Sequence, residues 1–401
     1  MNRIILIPAL VASLAPPLAA QVALPALPVP RVGEVLVPVT GEIDDPKQLV
    51  ADLARDRLRT IDRLVRRNRH IIEPDSAGEP ARRGELLVMD VDEEGLRRAQ
   101  QDGFTVLSAE KVPGLGITVT RLATPKGASL AQSETALAKI LPDAVVCADN
   151  LHFQSGQAGS PLVPLASAGL SGQGSLEVGM IDGAPGNAIP VFAARGFAKG
   201  APFPSHHGSA VASLLLSAGV DKVRVADVYG TDSAGGNALA IAKGLGWLVS
   251  QGSDVVTISL VGPKNAVLER AVSAAQRKGA VVVAAVGNDG PAAPPAYPAS
   301  YNGVVAVTAV DGKRRALIEA GRALHIDYAA PGADISGFNA KGKRISLRGT
   351  SFATPLVAAR IASAGKGAWR KALDAEAIDL GERGPDSTFG RGLVCAACKG
   401  H

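Results

Sequence analysis

The chain has 401 residues, of which 47% are hydrophobic and 20% are charged, and this is the composition of a globular protein. The net charge of +5 comes from basic residues spread along the chain, and only 3% of the residues are aromatic. Because the sequence offers neither a clustered basic region nor many stacking side chains, no nucleic-acid partner is expected.

The first twenty residues have the pattern of a secretory signal peptide. Arg3 precedes a short apolar stretch, and small residues follow at Ala19 and Ala20, so cleavage is predicted after Ala20. An uncleaved N-terminal anchor is the alternative. The apolar stretch is too short and too interrupted by proline to span a bilayer. The sequence therefore predicts an exported protein, secreted or periplasmic, with no stable membrane insertion.

The next segment combines a Pro-rich stretch with a basic helix. Residues 21–40 are punctuated by prolines and fit an extended linker or an edge strand. Residues 44–71 place apolar side chains at helical spacing opposite a strongly basic face. This pattern predicts a surface helix whose charged face lies in water, and binding to a membrane surface is the alternative.

Residues 84–154 show a compact and regular order of predicted elements. A strand, a helix, two strands joined at Pro113-Gly114, a second helix and a last strand follow one another. Ser129 and Gln132 are spaced as a capping box at the start of the second helix. The β-α-β-β-α-β order predicts a small α+β domain of ferredoxin-like arrangement.

The remainder of the chain reads as a linker followed by an α/β domain. Residues 155–174 are mostly small and indicate a linker. From residue 175 onward, nearly continuous apolar runs alternate with helical patterns. Such runs are typical of strands covered on both faces, so the pattern predicts a three-layer αβα domain with a mostly parallel sheet. In such sheets, functional residues gather beyond the carboxyl ends of the strands.

Polar residues stand at the ends of several elements of this α/β region. They are Asp182 after a strand, His206 and His207 at the start of an apolar helix, Asn288 after a buried strand, and Ser351 at the mouth of an Ala-rich helix. Each alone is explained as a turn or cap residue. Together, an acid, an imidazole and a hydroxyl meet the needs of nucleophilic acyl transfer, in which a base takes the serine proton and an acid orients the base.

Four segments around these residues resemble the motifs of the subtilisin-like serine peptidases, or subtilases. They are VGMIDG, HGSAVASLL, VVVAAVGNDGP and GTSFATPLVAA. The chain order Asp, His, Ser is also the order of that family. The resemblance covers about residues 175 to 395, and it implies that Asn288 is the oxyanion donor and that the catalytic triad consists of Asp182, His207 and Ser351.

The resemblance also implies where a substrate binds. The segment DVVTISLVGP resembles the strand that walls the family's primary specificity pocket, and Val261 stands where glycine is common. The Gly-rich segment TDSAGGN is the candidate edge on which an extended peptide docks by strand addition. The implied substrate-binding residues are Ser259, Leu260, Val261, Gly262, Ser233, Ala234 and Gly235.

The small domain resembles the inhibitory propeptide of the family. This resemblance implies a zymogen that cuts itself between Gln154 and Gly174 and keeps the small domain as an intramolecular inhibitor. The predicted division is a signal peptide at 1–20, the Pro-rich segment and basic helix at 21–83, the ferredoxin-like propeptide at 84–154, a linker with the processing site at 155–174, and the subtilisin-like catalytic domain at 175–401.

No cofactor is expected from the sequence. No calcium loop of the family is recognisable, so a calcium requirement is left open. Cys395 and Cys398 fit a local disulfide or two thiols better than a metal or redox site, because neither a second pair nor a histidine cluster accompanies them.

The hypothesis for function is a secreted serine endopeptidase that hydrolyses protein or peptide substrates through an acyl-enzyme. A catalytically inactive binding protein of the same fold is the alternative. An esterase on an α/β-hydrolase fold is disfavoured, because the order Ser, acid, His and the G-x-S-x-G motif that it requires do not occur around Ser351.

Overall fold

The structure is a computed structural model that describes residues 46–161 and 176–398. The predicted signal peptide, residues 21–45, residues 162–174 of the predicted linker, residue 175 and residues 399–401 lie outside the described residues.

The first described element is the predicted basic helix, α1 (Pro46–Arg67). Its apolar spacing buries Leu53 and Leu64, whereas Arg59 on the opposite face keeps 70% of its side chain exposed. The helix and its solvated basic face are therefore as the sequence predicts. Arg57 is an exception, since only 16% of its side chain is exposed.

A small α+β domain follows, and its strands form one antiparallel sheet. Its elements are β1 (Ile72–Pro74), β2 (Pro80–Met89), α2 (Glu93–Gln101), β3 (Thr105–Val112), β4 (Ile117–Ala123), α3 (Leu130–Ile140) and β5 (Val145–Asn150). From β2 to β5 the chain follows the β-α-β-β-α-β order that the sequence predicts. In space the strands lie in the order β5-β2-β4-β3, and β1 pairs with the start of β2.

The helices of the small domain begin at the cap residues that the sequence offers. Ser129 and Gln132 form the predicted capping box of α3, and Asp92 caps α2. The first long strand, by contrast, begins at Pro80 and not at the predicted boundary, Gly84. The intervening residues, 80–83, include two arginines and show no alternating apolar pattern, and they join the sheet by pairing with β1.

The rest of the described chain contains the following elements. The strands are β6 (Phe153–Gln154), β7 (Gln157–Pro161), β8 (Glu177–Asp182), β9 (Ala193–Gly196), β10 (Lys222–Asp227), β11 (Val255–Ile258), β12 (Leu260–Val261), β13 (Val281–Ala285), β14 (Val305–Val310), β15 (Tyr328–Pro331), β16 (Ile335–Phe338) and β17 (Arg344–Arg348). The helices are α4 (His206–Ser217), α5 (Ala238–Ser250), α6 (Ala266–Arg277), α7 (Thr350–Ala364) and α8 (Trp369–Glu376).

The large domain, residues 176–398, is built on a parallel sheet with helices on both faces. The strand order is β15-β14-β13-β11-β8-β10-β9, and the adjacent strands run parallel. Met180 and Ile181, neighbours on β8, belong to different core clusters: one is shared with α4 and α7, the other with α5 and α6. A strand buried on both sides must be apolar throughout. The predicted three-layer αβα architecture is confirmed.

The small domain lies against the N-terminal ends of α5 and α6. Asp149 accepts a hydrogen bond of 3.0 Å from the backbone amide of Leu239 in the first turn of α5. Asn265, the cap residue of α6, donates to the Ala148 carbonyl at 2.9 Å and to Asn150 Oδ1 at 3.0 Å. Oxygen atoms of β5 therefore accept hydrogen bonds at the N-terminal ends of α5 and α6, where the helix dipole favours negative charge.

Cys395 and Cys398 form a disulfide bond, which is one of the two states expected from their spacing. Cys147 is free and buried, and burial raises the pKa of its thiol to about 12. Among the described residues, no group of three or more His, Cys, Asp or Glu side chains is arranged to hold a metal ion. The helices of the described segments are all too short or too polar to cross a bilayer.

Candidate active site

The segment that joins the two domains runs through a cleft of the large domain as an extended strand. Leu151 forms a bridge with Asn237, and the His152 amide donates to the Gly236 carbonyl at 2.8 Å. Directly afterwards, β6 pairs antiparallel with β12. Backbone pairing on two sides therefore fixes the register of residues 151–154, which we call the docked segment.

The predicted pocket-wall residues make one side of this contact. Leu260 and Val261 are β12 itself, opposite Gln154 and Phe153. The next residue, Gly262, lies against the ring of the docked histidine, and a Cβ at Gly262 would be only 2.6 Å from that ring. The absence of a side chain at Gly262 therefore makes room for the docked segment.

The Gly-rich edge makes the other side, but its pairing residues are Gly236 and Asn237, not the predicted Ser233, Ala234 and Gly235. The predicted residues form a tight turn: the amides of Ala234 and Gly235 donate to the side chain and carbonyl of the preceding aspartate. The amides of Ala234 and Gly235 are therefore occupied within the turn, and backbone pairing with the docked segment begins after it. Ala234 nevertheless packs in one apolar cluster with Leu151 and Phe153.

The candidate acid and base are paired. Asp182 at the end of β8 is fully buried, and its Oδ2 lies 2.9 Å from Nδ1 of His207 at the start of α4. Asp182 Oδ1 accepts hydrogen bonds of 2.7 Å from the Gly183 amide and from Gln154 Nε2. These partners compensate the buried carboxylate, and the contact with Nδ1 turns Nε2 toward the cleft. The neighbouring His206 is exposed.

The candidate nucleophile lies beside the end of the docked segment. Ser351 is buried near the start of α7; its hydroxyl donates to the Ser259 carbonyl at 3.0 Å and lies 2.7 Å from Ser155 Oγ. Nε2 of His207 is 3.4 Å from the carbonyl oxygen of Ser155. The peptide bond between Ser155 and Gly156 is therefore held next to both side chains.

The candidate oxyanion donor is oriented but unsatisfied. Asn288 Oδ1 accepts a hydrogen bond of 3.0 Å from the Thr350 amide. Its Nδ2 is buried and has no hydrogen-bond partner in the described chain. A Cβ at Gly349, whose φ is 137°, would clash with Nδ2 and with the Gly156 backbone. A buried free donor costs about 1–3 kcal/mol and is what a developing oxyanion requires.

Two residues of this site carry no signal in the sequence pattern. Gln154 donates to Asp182 and also lies 3.3 Å from Ser205 Oγ, although it stands at the end of an apolar run beside a linker. Arg57 of α1 reaches the residue after Asn288, although in sequence it resembles the other arginines of that helix. Both contacts join distant parts of the chain, which local spacing does not reveal.

The fold and the site together define an α/β protein with a serine, histidine and aspartate arrangement at the ends of its elements. Residues 198–379 match the sequence model of the subtilase family, and this range contains His207, Asn288 and Ser351. The chain is 34% identical over 205 residues to Subtilisin Savinase from Lederbergia lenta, a match that covers 48% of this chain and 75% of that protein. The chain belongs to the subtilase family.

The chain is also similar to other proteins in sequence and in fold. The chain is 30% identical over 197 residues to the Minor extracellular protease Epr of Bacillus subtilis, covering 47% of this chain and 30% of that protein. The fold resembles fervidolysin from Fervidobacterium pennivorans, with a TM-score of 0.63 and 17% identity over 80% of this chain and 61% of that one. The chain spans between 30% and 62% of the length of three of its curated relatives.

Two buried titratable groups at the domain contact have shifted pKa values, and the two shifts change stability with pH in opposite directions. Burial lowers the pKa of His152 to about 4. Burial raises the pKa of Asp149 to about 7. The contribution of neutral His152 to the free energy of unfolding is fully present above its ordinary pKa near 6.5 and is lost as the pH falls to 4. Stability from protonated Asp149 is full below 3.8 and is lost as the pH rises to 7.

These shifts predict that single substitutions reveal opposite pH profiles. In the Ser351→Ala chain with Asp149→Asn added, the free energy of unfolding should fall by roughly 3 kcal/mol more than in the chain that also carries His152→Leu as the pH drops from 6.5 to 4. Adding His152→Leu alone should leave a free energy of unfolding that falls as the pH rises from 4 to 7. Denaturant unfolding at several pH values measures both against the variant with both substitutions. Parallel profiles for all these chains would contradict the prediction.

Proposed function

We propose that this protein is a serine endopeptidase made as a zymogen that cuts its own chain between Ser155 and Gly156. The observation that carries the proposal is the position of this peptide bond. Its carbonyl oxygen is 3.4 Å from His207 Nε2, and the side chain of the same residue is 2.7 Å from Ser351 Oγ. A substrate bond held beside a nucleophile and a base is the starting point of acyl transfer.

In the proposed first step, Ser351 Oγ forms a bond to the carbonyl carbon of Ser155 while its proton passes to His207 Nε2. Asp182 holds the ring through Nδ1 and stabilises the imidazolium. The negative charge on the former carbonyl oxygen is met by the unsatisfied Nδ2 of Asn288.

In the proposed second step, the bond to the Gly156 nitrogen breaks, and that nitrogen takes the proton from His207. The product is an ester of Ser351 and a free amine. Water then attacks the ester and gives its proton to the same imidazole, and the serine is regenerated with release of the carboxylate. None of the proposed reaction steps uses a cofactor or a calcium ion.

Two rotations precede the proposed attack. In the docked state the Ser351 hydroxyl donates to the Ser259 carbonyl, and the Ser155 carbonyl oxygen is near His207. The hydroxyl must turn toward Nε2, and the peptide plane must turn its oxygen toward Asn288. Catalytic hydrogen bonds commonly form only on the way to the transition state, so the docked geometry is compatible with the reaction.

The same cleft supports protein and peptide substrates in trans. The docked segment is bound through its backbone to β12 on one side and to Gly236 and Asn237 on the other. Strand addition of this kind accepts extended chains of many sequences, and side-chain pockets select among them.

After the cut, we propose that the small domain remains bound as an inhibitor. Its contacts with the ends of α5 and α6 do not involve the cleaved bond. Export of the protein is supported by the signal-peptide pattern of residues 1–20 and by similarity to a relative named as an extracellular protease.

Removal of a triad side chain should abolish peptide hydrolysis. Ser351→Ala and His207→Ala should each lower kcat/KM by about 10⁴-fold or more, because nucleophile and base act as one unit. The matched control is His206→Ala, which removes the exposed neighbouring imidazole and should keep activity. Peptide hydrolysis and labelling by a fluorophosphonate probe measure the effect, and a wild-type chain that is processed but never labelled would contradict the proposal.

Loss of the oxyanion donor should reduce turnover and not binding. Asn288→Ala should lower kcat by about 100- to 1000-fold, the range known for one such donor in this family, with KM nearly unchanged. Steady-state kinetics on a peptide substrate provide the measurement. A loss confined to KM would assign Asn288 to ground-state binding.

Self-processing should give one defined product. The wild-type chain should yield a new N-terminus at Gly156, and Ser351→Ala should remain uncut at this bond, because the nucleophile is missing. Intact mass measurement of both chains, expressed with export, decides the result. The same new N-terminus in Ser351→Ala would mean that another protease cuts the chain, and a terminus at another residue would move the scissile bond.

A further inference from the structure

Helix α1 precedes the small domain yet contacts both domains. Leu64, near its C-terminal end, packs with Ile72 of the small domain and with Leu151 and Phe153 of the docked segment. Leu53, nearer its N-terminal end, lies on Gly290 of the large domain, where a Cβ would be 3.1 Å from the leucine Cβ. The helix therefore passes over the docked segment from one domain to the other.

A charged contact lies close to the second of these points. Nε of Arg57 is 3.3 Å from Asp289 Oδ2, and its Nη2 is 3.2 Å from a carboxylate oxygen of Glu79 in the small domain. Arg57 is therefore shared by a carboxylate of each domain, and Asp289 directly follows Asn288. An arginine held in this way bridges two surfaces with directed hydrogen bonds as well as charge.

Between these contacts the helix does not fill the cleft. A cavity of about 330 Å³ lies beneath it, lined by α1 residues that include Thr60 and Ile61 and by cleft residues that include Gly156 and Pro263. The helix thus meets the large domain at Leu53 and Arg57 on one side of the cavity, and on the other side Leu64 joins a buried cluster that includes Ala234 of the large domain. Its contact with the large domain is a separate docking contact, and the core of the small domain does not depend on it.

We propose that Asp289 and Gly290 form a docking site for a basic amphipathic helix and that α1 is its occupant, which retains the cut docked segment in the cleft. This inference rests on the proposed function, because only a chain cut after Ser155 has a segment to release. The missing side chain at Gly290 leaves room for a leucine. The carboxylate of Asp289 pairs with an arginine four residues after that leucine, one turn further along the same face of the helix.

The docking site gives α1 a different role from the rest of the small domain. Contacts at α5 and α6 hold the sheet of the small domain, whereas α1 packs on the docked segment itself and contacts Asp289 and Gly290 of the large domain. With both sets of contacts in place, the segment can leave only when α1 lifts from Asp289 and Gly290. We therefore expect the time from cleavage to full activity to depend on Leu53 and Arg57.

The test compares two full-length chains with the same composition. Leu53→Ala with Arg57→Ala removes the two docking side chains. Leu58→Ala with Arg59→Ala removes an exposed leucine and an exposed arginine of the same helix and serves as the matched control. Intact mass follows cleavage after Ser155 with time, and a fluorogenic peptide follows activity, so the lag between the two is measured in each chain.

The docking variant should shorten this lag at least about tenfold, because it loses a buried leucine and an ion pair, while the control should stay within about twofold of wild type. In a third chain, Arg57→Asp with Glu79→Arg and Asp289→Arg reverses the charges on both sides of the shared arginine. It should restore the lag toward wild type, with activity scaled to its own final value. This rescue separates docking from a loss of folding.

Each other outcome overturns the inference. Normal cleavage with an unchanged lag in the docking variant would reject the helix site and leave the proposed function standing. Loss of cleavage in the docking variant alone would mean that α1 is needed before the cut and not after it. Absence of cleavage in the wild-type chain would reject the proposed function and this inference with it.

Discussion

The pairing of β6 with β12 is the contact on which the geometry of the site depends. It is short, yet it is continued by the bridge at Leu151 and anchored by Asp149 on the end of α5. Each contact alone is an ordinary backbone or cap interaction worth about 1 kcal/mol. Because they follow one another along a single extended segment, they leave the peptide bond after Ser155 in one position beside the serine and histidine.

The docked segment is also tied to the acid of the site. Gln154 donates to Asp182 and lies near Ser205, whose side chain caps the helix that carries His207. The docked segment thus completes a hydrogen-bond network around a buried carboxylate, whose contact with the Gly183 amide lies within the large domain. The orientation of the imidazole comes from the large domain, so loss of the small domain need not disturb it.

The sequence was sufficient for the features that local chemistry determines. Apolar runs predict the parallel sheet, and polar residues at element ends single out Asp182, Asn288, Ser351 and the pair His206 and His207. The choice of His207 and the role of each residue come from the resemblance to the subtilases. The sequence was insufficient where contacts between distant parts of the chain determine which residues are used. Helical spacing cannot tell which arginine of a basic face meets a carboxylate of another domain. A Gly-rich stretch likewise does not show which of its residues are used within a turn, and for this reason the edge was predicted before Gly236.

The register of the docked segment explains why one bond is presented and its neighbours are not. Successive side chains of a strand point to opposite faces. Phe153 faces the apolar side of α1, whereas Gln154 faces Asp182. A slip by one residue would set the phenylalanine against a buried carboxylate and the glutamine against leucine, which removes a partner from the charge. A slip by two would keep the faces but needs slack, and a segment that is paired from Leu151 and anchored at Asp149 has none. Only the bond after Ser155 then reaches the nucleophile.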